Sequence, residues 1–162
     1  GIRKYGQPFD ATTGRMNQKS FIAALNEAVR IINESNKIDG IIFTDLRESQ
    51  VFFSAGINHV ARFHGVTRKP SMQGPGEGVT GDFSWVQEVD AVSLFVDIYD
   101  MKIQRLFHSA GGIELTEAID TRGSKARFAR RRTVLGSKGQ ISEGIELAFH
   151  PFIEMKKWPG QK

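Results

Sequence analysis

The chain has 162 residues, 40% apolar and 25% charged, the length and make-up of one soluble globular domain. It contains no cysteine, which excludes disulfides, thiolate catalysis and cysteine-ligated zinc. No run approaches the roughly 18 apolar residues of a membrane helix, and the opening GIRKYGQPFD lacks the apolar centre of a signal peptide. The leading glycine leaves room for a leader that has been removed.

Net charge is +4, and it is local. Arg122, Lys125, Arg127, Arg130, Arg131, Arg132 and Lys138 lie between Thr121 and Ser142 with no acid among them, so the remainder of the chain is slightly acidic.

Residues 1–16 are polar and punctuated by Gly and Pro, and read as an extended segment. Phe21, Leu25, Ala28, Val29 and Ile32 then recur at helical spacing, predicting a helix over 18–35 with Asn17 as N-cap and Asn36 as terminator. IDGIIFTDL, 38–46, is a short β-branched run and reads as a buried strand. INHVARFHGV, 57–66, reads as another, with Ile57, Ala61 and Phe63 on one face and Asn58, Arg62 and His64 on the other. The Gly/Pro-rich stretch 69–82 is too poor in apolar residues to pack a core element. Pro70, Met72 and Pro75 within it, with Phe83 and Trp85 just beyond, are candidate partner contacts.

VQEVDAVSLFVDIYD, 86–100, alternates as a strand. Asp100-Met101-Lys102 turns it into IQRLFHS, 103–109, a hairpin that Gly111-Gly112 is expected to end. ELTEAID suggests a helical turn, followed by a basic loop over 121–140. The last element, 141–158, places Ile145, Ala148, Phe149, Phe152 and Ile153 on one helical face, with Ser142 as cap and a kink at Pro151. Together these elements predict a single α+β domain: a mostly antiparallel four-stranded sheet with two main helices packed on one face.

Gly76-Glu77-Gly78-Val79-Thr80-Gly81 spells the G-x-G-x-x-G of a dinucleotide turn. That turn needs a strand before it and a helix after it. Here Lys69–Gln73 is not an apolar strand, and Asp82–Val86 leads into a strand, so a surface loop is the expectation. GSKG at 136–139 lacks the frame of a phosphate-binding P-loop. His59 and His64 fall on opposite faces of the expected strand, and His108 and His150 stand alone. Asp90 and Asp97 also face opposite ways, Asp100 suits a turn, and no G-x-S-x-G elbow occurs. No catalytic, cofactor or metal-binding residue is assigned, and no small-molecule substrate is expected.

The basic tract is the strongest local feature. RGSKARFARRRTVLGSKG could neutralise several phosphates of a nucleic acid, with Phe128 as a stacking surface. Anionic lipid, an acidic protein patch or simply solvent would serve it as well.

Residues 18–46, 88–112 and 141–153 together resemble the small α/β domain of TolB-N/CsgG-like bacterial envelope lipoproteins. The features that carry this are an amphipathic helix leading into Asp39-Gly40-Ile41-Ile42-Phe43, then VSLFVDIYDMKIQRLFHSAGG as strand, turn and strand, then a closing helix. Lys102-Ile103 stands where that family has Thr-Gly, and Gln7-Pro8-Phe9 is the counterpart of its opening V-x-P-F. The resemblance implies a non-enzymatic, lipoprotein-like subunit of the periplasm, associated with the outer membrane. It would work through protein–protein contacts or self-assembly in a secretion, flagellar or wall-synthesis machine. The alternative is a cytoplasmic nucleic-acid-binding domain that uses the tract 122–138.

Overall fold

In the computed structural model, residues 17–35, 39–54, 59–74, 88–123 and 126–153 are described. Eight strands are seen among them, in chain order β1 (Gly40–Ser54), β2 (Val60–Phe63), β3 (Val66–Arg68), β4 (Met72–Gln73), β5 (Glu88–Asp100), β6 (Arg105–Leu115), β7 (Glu117–Asp120) and β8 (Arg127–Arg130). Helix α1 (Gln18–Ser35) precedes them and helix α2 (Lys138–Ala148) follows. Among the described residues strand outweighs helix, and one sheet is a curled, antiparallel, five-stranded one of order β3-β2-β1-β5-β6. A second sheet has the order β4-β7-β8. The chain divides into two compact units, 1–44 with 96–108 and 45–95 with 109–162, so the division falls within β1, β5 and β6.

In the first unit, α1 begins where Asn17 Oδ1 accepts the Ser20 backbone N–H at 3.1 Å, an N-cap contact. Its inward stripe buries Leu25 to 1% exposure. Phe21 meets Phe43 of β1 with ring centroids 5.4 Å apart, and Phe43 meets Tyr99 of β5 edge-on at 5.9 Å. Outside, Arg30 pairs with Glu27 and Glu34, one turn to either side. Asp100 directs the β5–β6 reversal, its Oδ1 accepting the backbone N–H groups of Lys102 and Gln104, both at 2.8 Å.

The second unit is built around Phe53, Ala61, Phe63, Val66, Val89, Ala91, Leu115, Ile119 and Leu147. Phe128 of β8 stands edge-on to Phe53, with centroids 5.2 Å apart. The β2–β3 hairpin turns on His64 (φ +40°) and Gly65 (φ +83°), between the paired residues Phe63 and Val66. Two positive φ angles in a two-residue loop suit the right-handed twist of the strands it joins. On β6, a Cβ at Gly111 would lie 1.8 Å from the Gly144 carbonyl oxygen of α2, so helix and strand touch backbone to backbone.

Several sequence expectations are corrected. The main sheet has five strands, not four, and a second sheet accompanies it, so the expected four-stranded layer is not the architecture. The stretch 57–66 is not one strand, because His64-Gly65 turns the chain back. The first strand does not stop at 46 but runs to Ser54. Gly111-Gly112 does not end the hairpin; β6 passes through both glycines to Leu115. ELTEAID is strand, not helical turn, and part of the basic tract is the strand β8. The last helix is capped by Ser137, not Ser142, and closes at Phe149, two residues short of Pro151, rather than carrying a kinked proline. The G-x-G-x-x-G stretch lies outside the described residues, as do residues 1–16 and 154–158.

Phe53, 1% exposed and ringed by this core, gives a direct check. Phe53→Ala is expected to lower unfolding free energy by about 3–5 kcal/mol. In urea titration this should be a shift of midpoint with little change of slope.

Candidate functional site

Antiparallel pairing with β7 fixes the basic tract, with Ile119 opposite Phe128 and Asp120 opposite Arg127. Strand alternation turns Phe128 towards Phe53 and leaves Arg127 outside, its side chain 75% exposed. Phe128 therefore packs in the unit instead of standing out as a surface for bases.

Most arginines of the tract already meet a carboxylate. Arg122 donates Nε and Nη2 to the two oxygens of Asp120 at 2.8 and 2.9 Å. Arg127 comes within 3.9 Å of the same group. Arg130 donates Nη1 and Nη2 to the two oxygens of Glu48 at 2.5 and 3.0 Å, and the Thr116 hydroxyl donates to Glu48 Oε1 at 2.5 Å. Arg131 donates Nη1 to Glu114 Oε2 at 2.8 Å and to the Leu115 carbonyl at 2.9 Å. Glu114 is 1% exposed, an environment a carboxylate tolerates only when paired and hydrogen-bonded. Arg132 and Lys138 are exposed, and Lys125 lies outside the described residues.

Two carboxyls are held below their ordinary range. The Arg130 guanidinium, with help from the Thr116 hydroxyl, lowers Glu48 against the opposing effect of burial. Arg122 lowers Asp120 through its side chain and then its backbone N–H, with a smaller effect from Arg127. The same contacts raise Arg130 and Arg122.

Of the candidate partner-loop residues, Pro70 follows β3 half-buried, and Met72 opens β4 with 64% of its surface exposed. Pro75, Phe83 and Trp85 lie outside the described residues. The histidines are separately engaged: His64 Nδ1 lies 2.8 Å from Ser93 Oγ, and His108 Nδ1 lies 2.8 Å from Asp97 Oδ1. Among the described residues, no group of three or more His, Asp or Glu is placed to hold a metal ion.

Sequence reasoning missed Glu48, Glu114, Thr116 and Arg68. Arg68 of β3 donates Nε to the Ile113 carbonyl of β6 and Nη2 to Glu143 of α2, both at 2.6 Å. The available signal was a single charge inside an apolar run, Glu114 between Ile113 and Leu115, which calls for a partner elsewhere. Clefts are also seen among the described residues of this unit. One of about 320 Å³ is lined by Glu88, Asp90, Glu117, Arg127 and Phe128. Another of about 200 Å³ is lined by Arg68, Lys69, Ser71, Glu114, Arg131 and Gln140.

No protein-family model matches the chain, and no curated protein or solved structure shows significant similarity to it.

The lowered carboxyls give a signed pH dependence. A carboxyl depressed in the folded state contributes fully above its unfolded value, about 4.5 for Glu48, and that contribution is lost as pH falls through the folded value. The contribution of these carboxyls to unfolding free energy should therefore be constant from pH 6 to 8 and decline below about 4.5. Glu48→Gln should cost about 1 kcal/mol at pH 7, the scale of a solvent-accessible ion pair, and progressively less as pH falls below about 4.5. Denaturant titrations of both proteins across this range check it.

Proposed function

We propose that this chain is a non-catalytic assembly domain of the bacterial cell envelope, acting through contacts with other proteins. One observation carries the contact half of this reading. Ile145, Phe152 and Ile153, 42%, 58% and 40% exposed, crowd the short stretch that ends α2 and the turn after it. Scattered apolar side chains on a surface are ordinary, but several in one short stretch are a feature of contact surfaces. Phe52, 68% exposed, and Met72 add to the apolar surface of the same unit. The envelope half rests on the sequence resemblance alone.

The nucleic-acid reading has less support. A phosphate would have to displace Asp120, Glu48 and Glu114 from Arg122, Arg130 and Arg131, leaving mainly Arg127, Arg132 and Lys138 for ready contact.

The test is fractionation of cells making the native protein, with chemical cross-linking before lysis. Recovery in the envelope fraction with cross-linked species above monomer mass is expected. Phe152→Asp with Ile153→Asp should reduce those species at least fivefold while circular dichroism stays unchanged. A cytosolic protein that never cross-links beyond monomer would overturn the proposal.

A further inference from the structure

Between β8 and α2, residues 131–137 belong to no ladder or helix, yet both ends of the segment are tied to one buried group. At its start, the Arg131 backbone N–H donates to the Thr116 carbonyl at 2.8 Å, and the guanidinium reaches Glu114 Oε2. Towards its end, the Leu135 backbone N–H donates to Glu114 Oε1. A single carboxylate, 1% exposed, thus holds both ends.

Two further features concern the same segment. Leu135 has φ +61°, the left-handed region that a side chain with a Cβ enters at a cost, and it does so at the residue whose N–H the carboxylate holds. Gly136 follows, a residue whose lack of a Cβ leaves its own φ and ψ widely permitted, and a Cβ there would meet only the Thr133 methyl within 4 Å. Apolar anchoring is slight: Val134 is half-buried and Leu135 is 36% exposed. The Arg131 end and Ser137 line the cleft of about 200 Å³ that also takes in Arg68, Lys69 and Ser71.

We propose that residues 131–136 are a strap, latched on the Glu114 carboxylate and hinged at Leu135–Gly136, which opens as a unit and withdraws Arg131 from the wall of that cleft, while the sheets and α2 with its Ser137 cap stay folded. Segments fastened by a few polar contacts, with little apolar burial, open locally at a lower free energy than the core that carries them. Opening also releases the left-handed conformation at Leu135, which persists only while its surroundings enforce it. The strap does not depend on the assembly reading.

The chain supplies its own probe, since trypsin cuts after each of Arg130, Arg131 and Arg132, at the mouth of the strap. Glu114→Gln keeps all three sites and removes the charge of the latch. Limited digestion, with the cleavage sites mapped by mass spectrometry, should show cutting at 130–132 at least tenfold faster in Glu114→Gln than in the native chain. Sites at Arg62 and Arg68 should keep their native rates. Leu147→Ala, which weakens the core instead, should speed all these sites together. Equal acceleration everywhere in Glu114→Gln, or none at 130–132, would overturn the strap.

Hydrogen exchange of the native chain reads the same opening without any substitution. The Leu135 and Arg131 amides should exchange at least a hundredfold faster than the β2–β3 amides, at a rate independent of low urea. Exchange matched to β2–β3 and rising with urea would contradict a local opening.

Discussion

Gly111 and Gly144 meet with no side chain between them, and the second unit depends on that contact. A methyl group at Gly111 would have to occupy the position of the Gly144 carbonyl oxygen, and one at Gly144 would come within 2.7 Å of Ile113. With neither present, α2 lies directly on β6. That placement brings Glu143 within reach of Arg68, whose guanidinium donates both to this carboxylate and to the Ile113 carbonyl. The Gly112 N–H donates to His64 at the β2–β3 turn at 2.9 Å, so β6 meets the far end of the sheet and the curl is held. Absence of side chains, not their packing, sets this geometry.

The polar interior follows from it. Beyond Gly112, β6 runs inward through Ile113, Glu114 and Leu115, which leaves the carboxylate residue only 1% exposed. Such a group must find cations and N–H donors within the protein, since leaving one partner out of a buried pair costs several kcal/mol. Arg131 and the Leu135 N–H meet that need, while Glu48 takes Arg130 and the Thr116 hydroxyl. What looks in sequence like a positive surface is in large part the counter-charge of carboxylates, of which Glu114 and Asp120 are buried and Glu48 is exposed. The local excess of arginine is thereby a feature of the frame, and the surface left for partners is more apolar than charge alone suggests.

Legibility of the sequence follows the range of the interactions involved. Helix α1 was readable because its signals are local: apolar residues at helical spacing and Asn17 ahead of them. The β5–β6 turn was readable for the same reason, since Asp100 acts on Lys102 and Gln104. The far half of strand β1 is hidden in the sequence because Arg47, Glu48, Ser49 and Gln50 interrupt its apolar run, although Glu48 is fixed by an arginine 82 residues away. Gly111-Gly112 has the local signature of a strand end because glycine weakens strands, whereas here the missing Cβ of Gly111 is what α2 requires. For the candidate site, the arginines were visible and their partners were not. Arg131 lies 17 residues beyond Glu114, and nothing local marks them as a pair.

The glycine contact is tested most directly by urea denaturation of Gly111→Ala beside Gly139→Ala. Gly139 lies in α2, the helix that carries Gly144, and a Cβ there meets nothing within 4 Å. Gly139→Ala is expected to leave stability unchanged or raise it by up to about 1 kcal/mol, through helix propensity. Gly111→Ala is expected to lower it by about 3 kcal/mol or more, because backbone must move to admit the methyl group. If Gly111→Ala were as stable as the native chain, helix and strand would have room between them, and the backbone contact could not be what holds α2 to β6.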